Sequence, residues 1–165
     1  GSVENRLRFP MMVVEAVKQV WPASRIGIRV SPTGSFNSMY DQDPHSTYRA
    51  LARKVEEAGL AYIEVVEDSF QGNHENGRPE SVIDAIREAF SGSYIANGAY
   101  SRDEAIERIN AGRCDLASFG RPIIANPDLV ERFRRNAALN EWDHSTFYGG
   151  DERGYTDYPT LEETQ

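Results

Sequence analysis

The sequence holds one cysteine, three histidines and no apolar run near the roughly 20 residues of a membrane helix, so several classes close at once. Cys114 has no second cysteine to pair with, which excludes an internal disulfide. Its place in the strand-like run CDLASF reads as a small buried hydrophobe rather than a nucleophile. His45, His74 and His144 lack metal-ligand spacing and read as solvated surface residues, so no metal site is expected. Positive charge is also scarce: 18 Lys and Arg against 26 Asp and Glu leave a net charge of −8. A polyphosphate backbone would be repelled, which argues against a nucleic-acid binder. Any anion must be held by local arginines and backbone amides. With a single cysteine and no internal disulfide, a reducing cytoplasm fits. There is no initiator methionine, and Gly1-Ser2 reads as the scar of a cleaved tag or the point where a longer protein was cut.

What is present is a chain that is 39% hydrophobic and 27% charged, the make-up of one soluble domain with a core. Its pattern alternates helix with strand. A first helix is expected from about Val3 to Trp21, capped by Ser2, with Met12, Val13, Ala16, Val17 and Val20 forming one apolar stripe and Pro10 kinking or delaying it. A strand follows over Arg25 to Pro32, then a turn-rich loop over Thr33 to Pro44 that is long enough to be functional. A helix over His45 to Ala58 places Tyr48, Leu51, Ala52 and Val55 together and stops at Gly59. Ala61 to Glu67 is a strand whose Ile63, Val65 and Val66 are partly continuous rather than strictly alternating, as in a parallel sheet covered by helices, and a polar loop over Asp68 to Arg78 follows. A helix over Pro79 to Phe90 places Val82, Ile83, Ile86 and Phe90 together, and a strand over Ser93 to Asn97 comes next. Ser101 and Glu104 form a capping box for a helix carrying Ala105, Ile106 and Ile109, which Gly112 ends. The strand Asp115 to Phe119 leads into Gly120-Arg121, and Asn126-Pro127 is expected to start the last helix, as N-cap and first residue. Residues 1–136 thus read as one domain, and 137–165 as an aromatic, turn-rich tail packing on it.

Four strands separated by helices imply parallel pairing, either in an open doubly wound sheet or in part of an eight-fold barrel. A whole barrel takes about 250 residues, so four strands make half of one. The chemistry-bearing residues lie at strand ends. Arg29 stands just before Ser31-Pro32; turned to the sheet interior it needs a ligand or carboxylate, and turned outward it can pair with a helix glutamate. Asn97-Gly98-Ala99 and Gly120-Arg121 end consecutive strands, where glycine lets amides approach a phosphate and an arginine neutralises it, although each glycine alone reads as a turn residue. Glu64 and Glu67 point to opposite faces of their strand and make no carboxylate dyad.

The blocks GSVENRLRF, IGIRVSP, IANGAYS, FGRPIIANPDLVERF and TFYGGDERGYTDYP together resemble the C-terminal half of the Old Yellow Enzyme family, in that family's order and over nearly the whole chain. The resemblance implies half of a (β/α)8 TIM barrel, with four parallel strands corresponding to barrel strands 5–8 and flanking helices. It implies FMN as cofactor, NAD(P)H as hydride donor and an activated C=C bond, as in an enone, as substrate. Carried over by position, Arg29 matches the arginine at the N1 and O2 edge of the flavin. Gly98 and Ala99, with Gly120 and Arg121, match the phosphate cradle. Ala99 stands where some relatives have asparagine, so only its amide can serve. Tyr148 matches a residue bordering the substrate pocket, with Phe147 beside it against the cofactor.

The resemblance also implies that the first four strands are missing, and with them the groups that bind the substrate's activating group and donate the proton. The expected partner is therefore the N-terminal half or a second copy, with little or no turnover from this chain alone. A stand-alone, possibly engineered half-barrel that homodimerises and binds FMN or phosphate without catalysis is the alternative. A non-flavin doubly wound binding module is the third reading.

Overall fold

In a computed structural model, which describes residues 1–34, 38–67 and 79–163, four parallel strands form one sheet in sequence order. They are β1 (Gly27–Val30), β2 (Tyr62–Val66), β3 (Ser93–Asn97) and β4 (Leu116–Ser118). The helices between them are α2 (Pro44–Ala58), α3 (Pro79–Ala89) and α4 (Arg102–Asn110), and α1 (Val3–Lys18) precedes β1. Residues 35–37 of the expected Thr33–Pro44 loop and the whole loop 68–78, with His74, lie outside the described residues.

The two central strands alternate cleanly. Ile63 and Val65 of β2 and Tyr94 and Ala96 of β3 are buried on the face covered by Leu51, Ala52 and Val55 of α2 and Val82 and Ile86 of α3. The other face carries Arg29, Glu64, Ile95 and Asn97, and is less enclosed. Register aligns Arg29 with Glu64, Glu64 with Ile95, and Asn97 with Ser118. The α2 and α3 stripes expected from spacing are the ones buried. Gly59 ends α2 in the left-handed conformation at φ 71°, which glycine adopts without a side-chain penalty.

The first helix departs from expectation twice. Pro10 does not delay it: the helix starts at Val3, runs through Pro10 and stops at Lys18 rather than Trp21, the one hydrogen bond lost at Pro10 being offset by the burial of Leu7 and Val14 on either side. Its core contact is made by those two residues with Val3 and Met11, whereas Met12, Val13, Val17 and Val20 are exposed. Ser2 caps the helix as expected, accepting from the Asn5 amide at 3.4 Å. On α4, Ala105 is buried but Ile106 and Ile109 are exposed.

The chain divides into two compact units, Gly1–Ser118 and Phe119–Gln165. The second holds α5 (Arg121–Ala125), α6 (Leu129–Arg135) and a short 3-10 turn, His144–Thr146. The Asn126-Pro127 expectation is overturned here. Arg121–Ala125 is already helical, and Asn126 is fully buried rather than capping. Its amide nitrogen donates to the Pro122 carbonyl at 2.8 Å and its side-chain oxygen accepts from the Asn140 amide at 2.8 Å. A buried amide finds its best partners in the returning chain, so α6 starts later, after Asp128.

Candidate functional site

At the C-terminal ends of β1 to β4, four side chains on the less enclosed face form one polar network. Arg29 donates through Nε to Glu64 Oε1 at 3.2 Å and through Nη2 to Asn97 Oδ1 at 3.2 Å. Ser118 Oγ donates to the same Glu64 oxygen at 2.8 Å, and Asn97 Nδ2 donates to Ser118 Oγ at 2.9 Å and to its carbonyl at 3.1 Å. The parallel register creates this arrangement by setting Arg29 beside Glu64 and, one pleat further toward the strand ends, Asn97 beside Ser118. Of the two orientations open to Arg29, the one on the face away from the helices is found, with a strand carboxylate as partner. Its side chain remains 57% exposed, so the guanidinium keeps donors available to a ligand.

Gly98 and Ala99 follow directly on β3. The capping box at Ser101 is present: Ser101 Oγ accepts from the Glu104 amide and the Glu104 carboxylate accepts from the Ser101 amide. Those two amides are therefore committed to the helix, whereas among the described residues no hydrogen bond engages the Gly98 or Ala99 amide. A Cβ on Gly98 would stand 2.9 Å from the Tyr100 ring, so no larger residue fits there without movement. In the second unit, Gly120 precedes α5 and Arg121 begins it; a Cβ on Gly120 would meet no atom within 4 Å. Phe147 follows the His144–Thr146 turn, with its ring 5.1 Å from that of His144, and Tyr148 is 89% exposed.

The opposite face of the sheet holds a second cluster, which spacing alone did not single out. Glu67, just after β2, is 8% exposed. Its carboxylate accepts from the Tyr94 hydroxyl at 2.7 Å and from the Tyr100 hydroxyl, and pairs with Arg108. Arg108 also lies over the Tyr100 ring, 4.7 Å from its centroid. Glu64 and Glu67 thus face opposite ways, as a period of two requires. The signal for the Glu67 cluster was its register with Ile63 and Val65: a carboxylate on the buried face must have partners.

Burial first, and then the Glu67 carboxylate, push the Tyr94 and Tyr100 hydroxyls far above their ordinary value of 10.0. Both pKa values are raised on folding, so their contribution to stability is complete below pH 10 and is lost as pH rises beyond it, where only the unfolded tyrosines ionise. The melting temperature is expected to fall between pH 9.5 and about 11, as the first of these ionisations sets in. Tyr94→Phe and Tyr100→Phe should each flatten that fall; equal slopes in the parent and both variants would contradict it.

Cys114 is buried, and burial pushes its thiol up, consistent with packing rather than nucleophilic use. His45 and His144 are exposed, and among the described residues no group of three metal-binding side chains occurs. No helix among them is long and apolar enough to cross a membrane.

With this geometry in hand, comparison with known proteins is decisive. The NADH:flavin oxidoreductase / NADH oxidase family matches residues 1–140. The chain belongs to that family. Putative 12-oxophytodienoate reductase 10 of Oryza sativa subsp. japonica is 38% identical over 169 residues, covering 99% of this chain and 53% of that protein. 12-Oxophytodienoate reductase 2 of Arabidopsis thaliana is 36% identical over 165 residues, covering 99% and 44%. Among solved structures, morphinone reductase superposes with a TM-score of 0.90 at 44% identity, covering 100% of this chain and 44% of its own. The old yellow enzyme from Trypanosoma cruzi gives a TM-score of 0.89 at 32% identity, covering 97% and 41%. The chain therefore spans about half the length of its Old Yellow Enzyme relatives, and its four-stranded sheet is half of a TIM barrel. The family's cofactor is FMN and its hydride donor NAD(P)H.

Proposed function

We propose that this chain is the C-terminal, FMN-phosphate-binding half of a flavin-dependent ene-reductase that reduces activated C=C bonds with NAD(P)H. The observation that carries the reading is the pairing, on one sheet end, of an Arg29 guanidinium held by Glu64 and Asn97 with the uncommitted Gly98 and Ala99 amides. A phosphate suits those donors: the amides at a tight turn present N–H groups, and the chain's net charge of −8 leaves anion binding to such local sites.

In this reading Gly98 and Ala99 of the first unit offer their amides to the FMN phosphate, while Arg29 faces the pyrimidine edge of the ring system. In the second unit, taken by itself, Gly120 and Arg121 are proposed as phosphate contacts, Phe147 as a cofactor contact and Tyr148 as a substrate contact. When bound, FMN supplies two-electron chemistry by passing hydride from NAD(P)H to the alkene. The chain's residues orient the cofactor and place positive charge where reduction concentrates negative charge. Glu64 and Asn97 fix the Arg29 fork before any ligand arrives, which limits the ordering cost on binding.

Because the relatives are twice as long, the chain alone is expected to show little or no turnover and to need the N-terminal half-barrel. The exposed Met12, Val13 and Val17 of α1, with Val20 just beyond it, favour a covering partner. A homodimer that binds FMN without catalysis is the second reading that the same stripe supports.

Titrating the chain with FMN and with riboflavin, and then adding the N-terminal half with NADPH and a cyclic enone, tests the proposal. FMN should bind at least tenfold more tightly than riboflavin, and enone reduction should require both halves. Equal affinity for FMN and riboflavin would overturn the assignment of phosphate binding. Turnover by the chain alone would overturn its dependence on a partner.

A further inference from the structure

We infer that Glu67, on the far side of the sheet from Arg29, is the positioning residue for the Gly98–Ala99 phosphate loop and acts through Tyr100; the inference rests on the phosphate-binding role proposed above. Glu67 grips the loop at both ends. Its backbone amide donates to the Asn97 carbonyl at 2.8 Å, immediately before Gly98, and its carboxylate accepts from the hydroxyl of Tyr100, immediately after Ala99. The two residues between these anchors are the ones whose amides are uncommitted.

The Tyr100 ring is what transmits the grip. A Cβ at Gly98 would come within 2.9 Å of both Cε2 and Cζ, so the ring lies directly over the Gly98 backbone. On the same ring sits the Arg108 guanidinium, which is also paired with Glu67. The Tyr100 hydroxyl and the guanidinium that covers its ring therefore share one carboxylate, and the ring has little freedom to slide along the loop. A buried carboxylate at this position would be costly for packing alone, since it needs three partners where an apolar residue needs none. Its partners instead connect the start of β3, through Tyr94, with the approach to α4, through Tyr100, and with the last turn of α4, through Arg108.

The expected signature is a loss of phosphate selectivity rather than of flavin-ring binding. Glu67→Gln keeps the shape but loses the charge, and Tyr100→Phe keeps the ring but loses the hydroxyl. Each should lower the ratio of FMN to riboflavin affinity about tenfold, leaving riboflavin affinity within twofold of the parent. Tyr94→Phe is the comparison for a merely structural role: it also removes a partner of Glu67, but does not touch the loop. It should lower the melting temperature while leaving the ratio unchanged. If Glu67→Gln does not fold, Tyr100→Phe decides alone.

An unchanged ratio in folded Tyr100→Phe overturns the inference, as does an equal fall in Tyr94→Phe. A parent chain that does not prefer FMN to riboflavin sinks instead the phosphate-binding proposal beneath it, so the two failures are distinguishable.

Discussion

Arg132→Ala is expected to release the C-terminal segment, lowering the stability of the Phe119–Gln165 unit by about 3 kcal/mol or more. Arg132 is only 3% exposed and carries three separate links. Nε pairs with Asp128 at 2.7 Å, Nη1 donates to the Ala138 carbonyl at 2.7 Å, and Nη2 to the Pro159 carbonyl at 3.0 Å. One guanidinium therefore ties α6 to both ends of the tail that carries Phe147 and Tyr148. Asn140 repeats the tie by donating to the Ala125 and Pro159 carbonyls at 2.8 and 2.9 Å. The Asp128 carboxyl lies below its usual range, chiefly because it accepts from the Leu161 amide and further because of Arg132, with burial opposing. Truncation takes the side-chain donor from the Ala138 carbonyl and one of two donors from both the Pro159 carbonyl and the Asp128 carboxylate, and alanine fills none of the space. Arg132→Lys keeps the charge but not the planar fork, and should fall between the two. Limited proteolysis reads the effect: cleavage between residues 138 and 163 should accelerate at least tenfold in Arg132→Ala. Unchanged protection would mean that Asn140 and Asp128 hold the tail unaided.

How far the fold was legible follows from which residues decide locally. The Ser101 and Glu104 capping box, the Gly59 stop and the stripes of α2 and α3 depend on neighbours within four residues, and each appears where spacing puts it. The strand alternation placed Glu64 and Glu67 on opposite faces for the same reason. Asn126 was misjudged because an asparagine before proline satisfies the local rule for a cap, while its partners, Asn140 and the Pro122 carbonyl, are set by tertiary folding. On α1, periodicity finds Met12, Val13, Val17 and Val20 but cannot say what covers them, and Leu7 and Val14 take the core instead. The Arg29 network needed register: Glu64 and Asn97 are 35 and 68 residues away in the chain, and only parallel pairing brings them within reach. The Glu67 cluster needed the burial of a whole sheet face, which no window of sequence contains.

Gly98→Ala should reduce FMN affinity tenfold or more, about 1.4 kcal/mol per factor of ten, while sparing riboflavin. A methyl group at residue 98 meets the Tyr100 ring at 2.9 Å, tighter than a Cβ tolerates, so either the ring or the loop has to move. The ring is held by the Glu67 carboxylate and by Arg108, whereas the loop spans two residues with uncommitted amides. The loop is therefore the part that yields. Its amides turn away from the phosphate, and charge-assisted hydrogen bonds of this kind contribute about 1.5–3 kcal/mol. A double-mutant cycle separates this cause from a general loss of folding. In a Tyr100→Ala background the clash is gone, so adding Gly98→Ala should change FMN affinity by less than threefold, and the two substitutions should be strongly non-additive. If Gly98→Ala weakens FMN equally with and without the ring, the steric account fails, and glycine is needed there for the ligand's own approach.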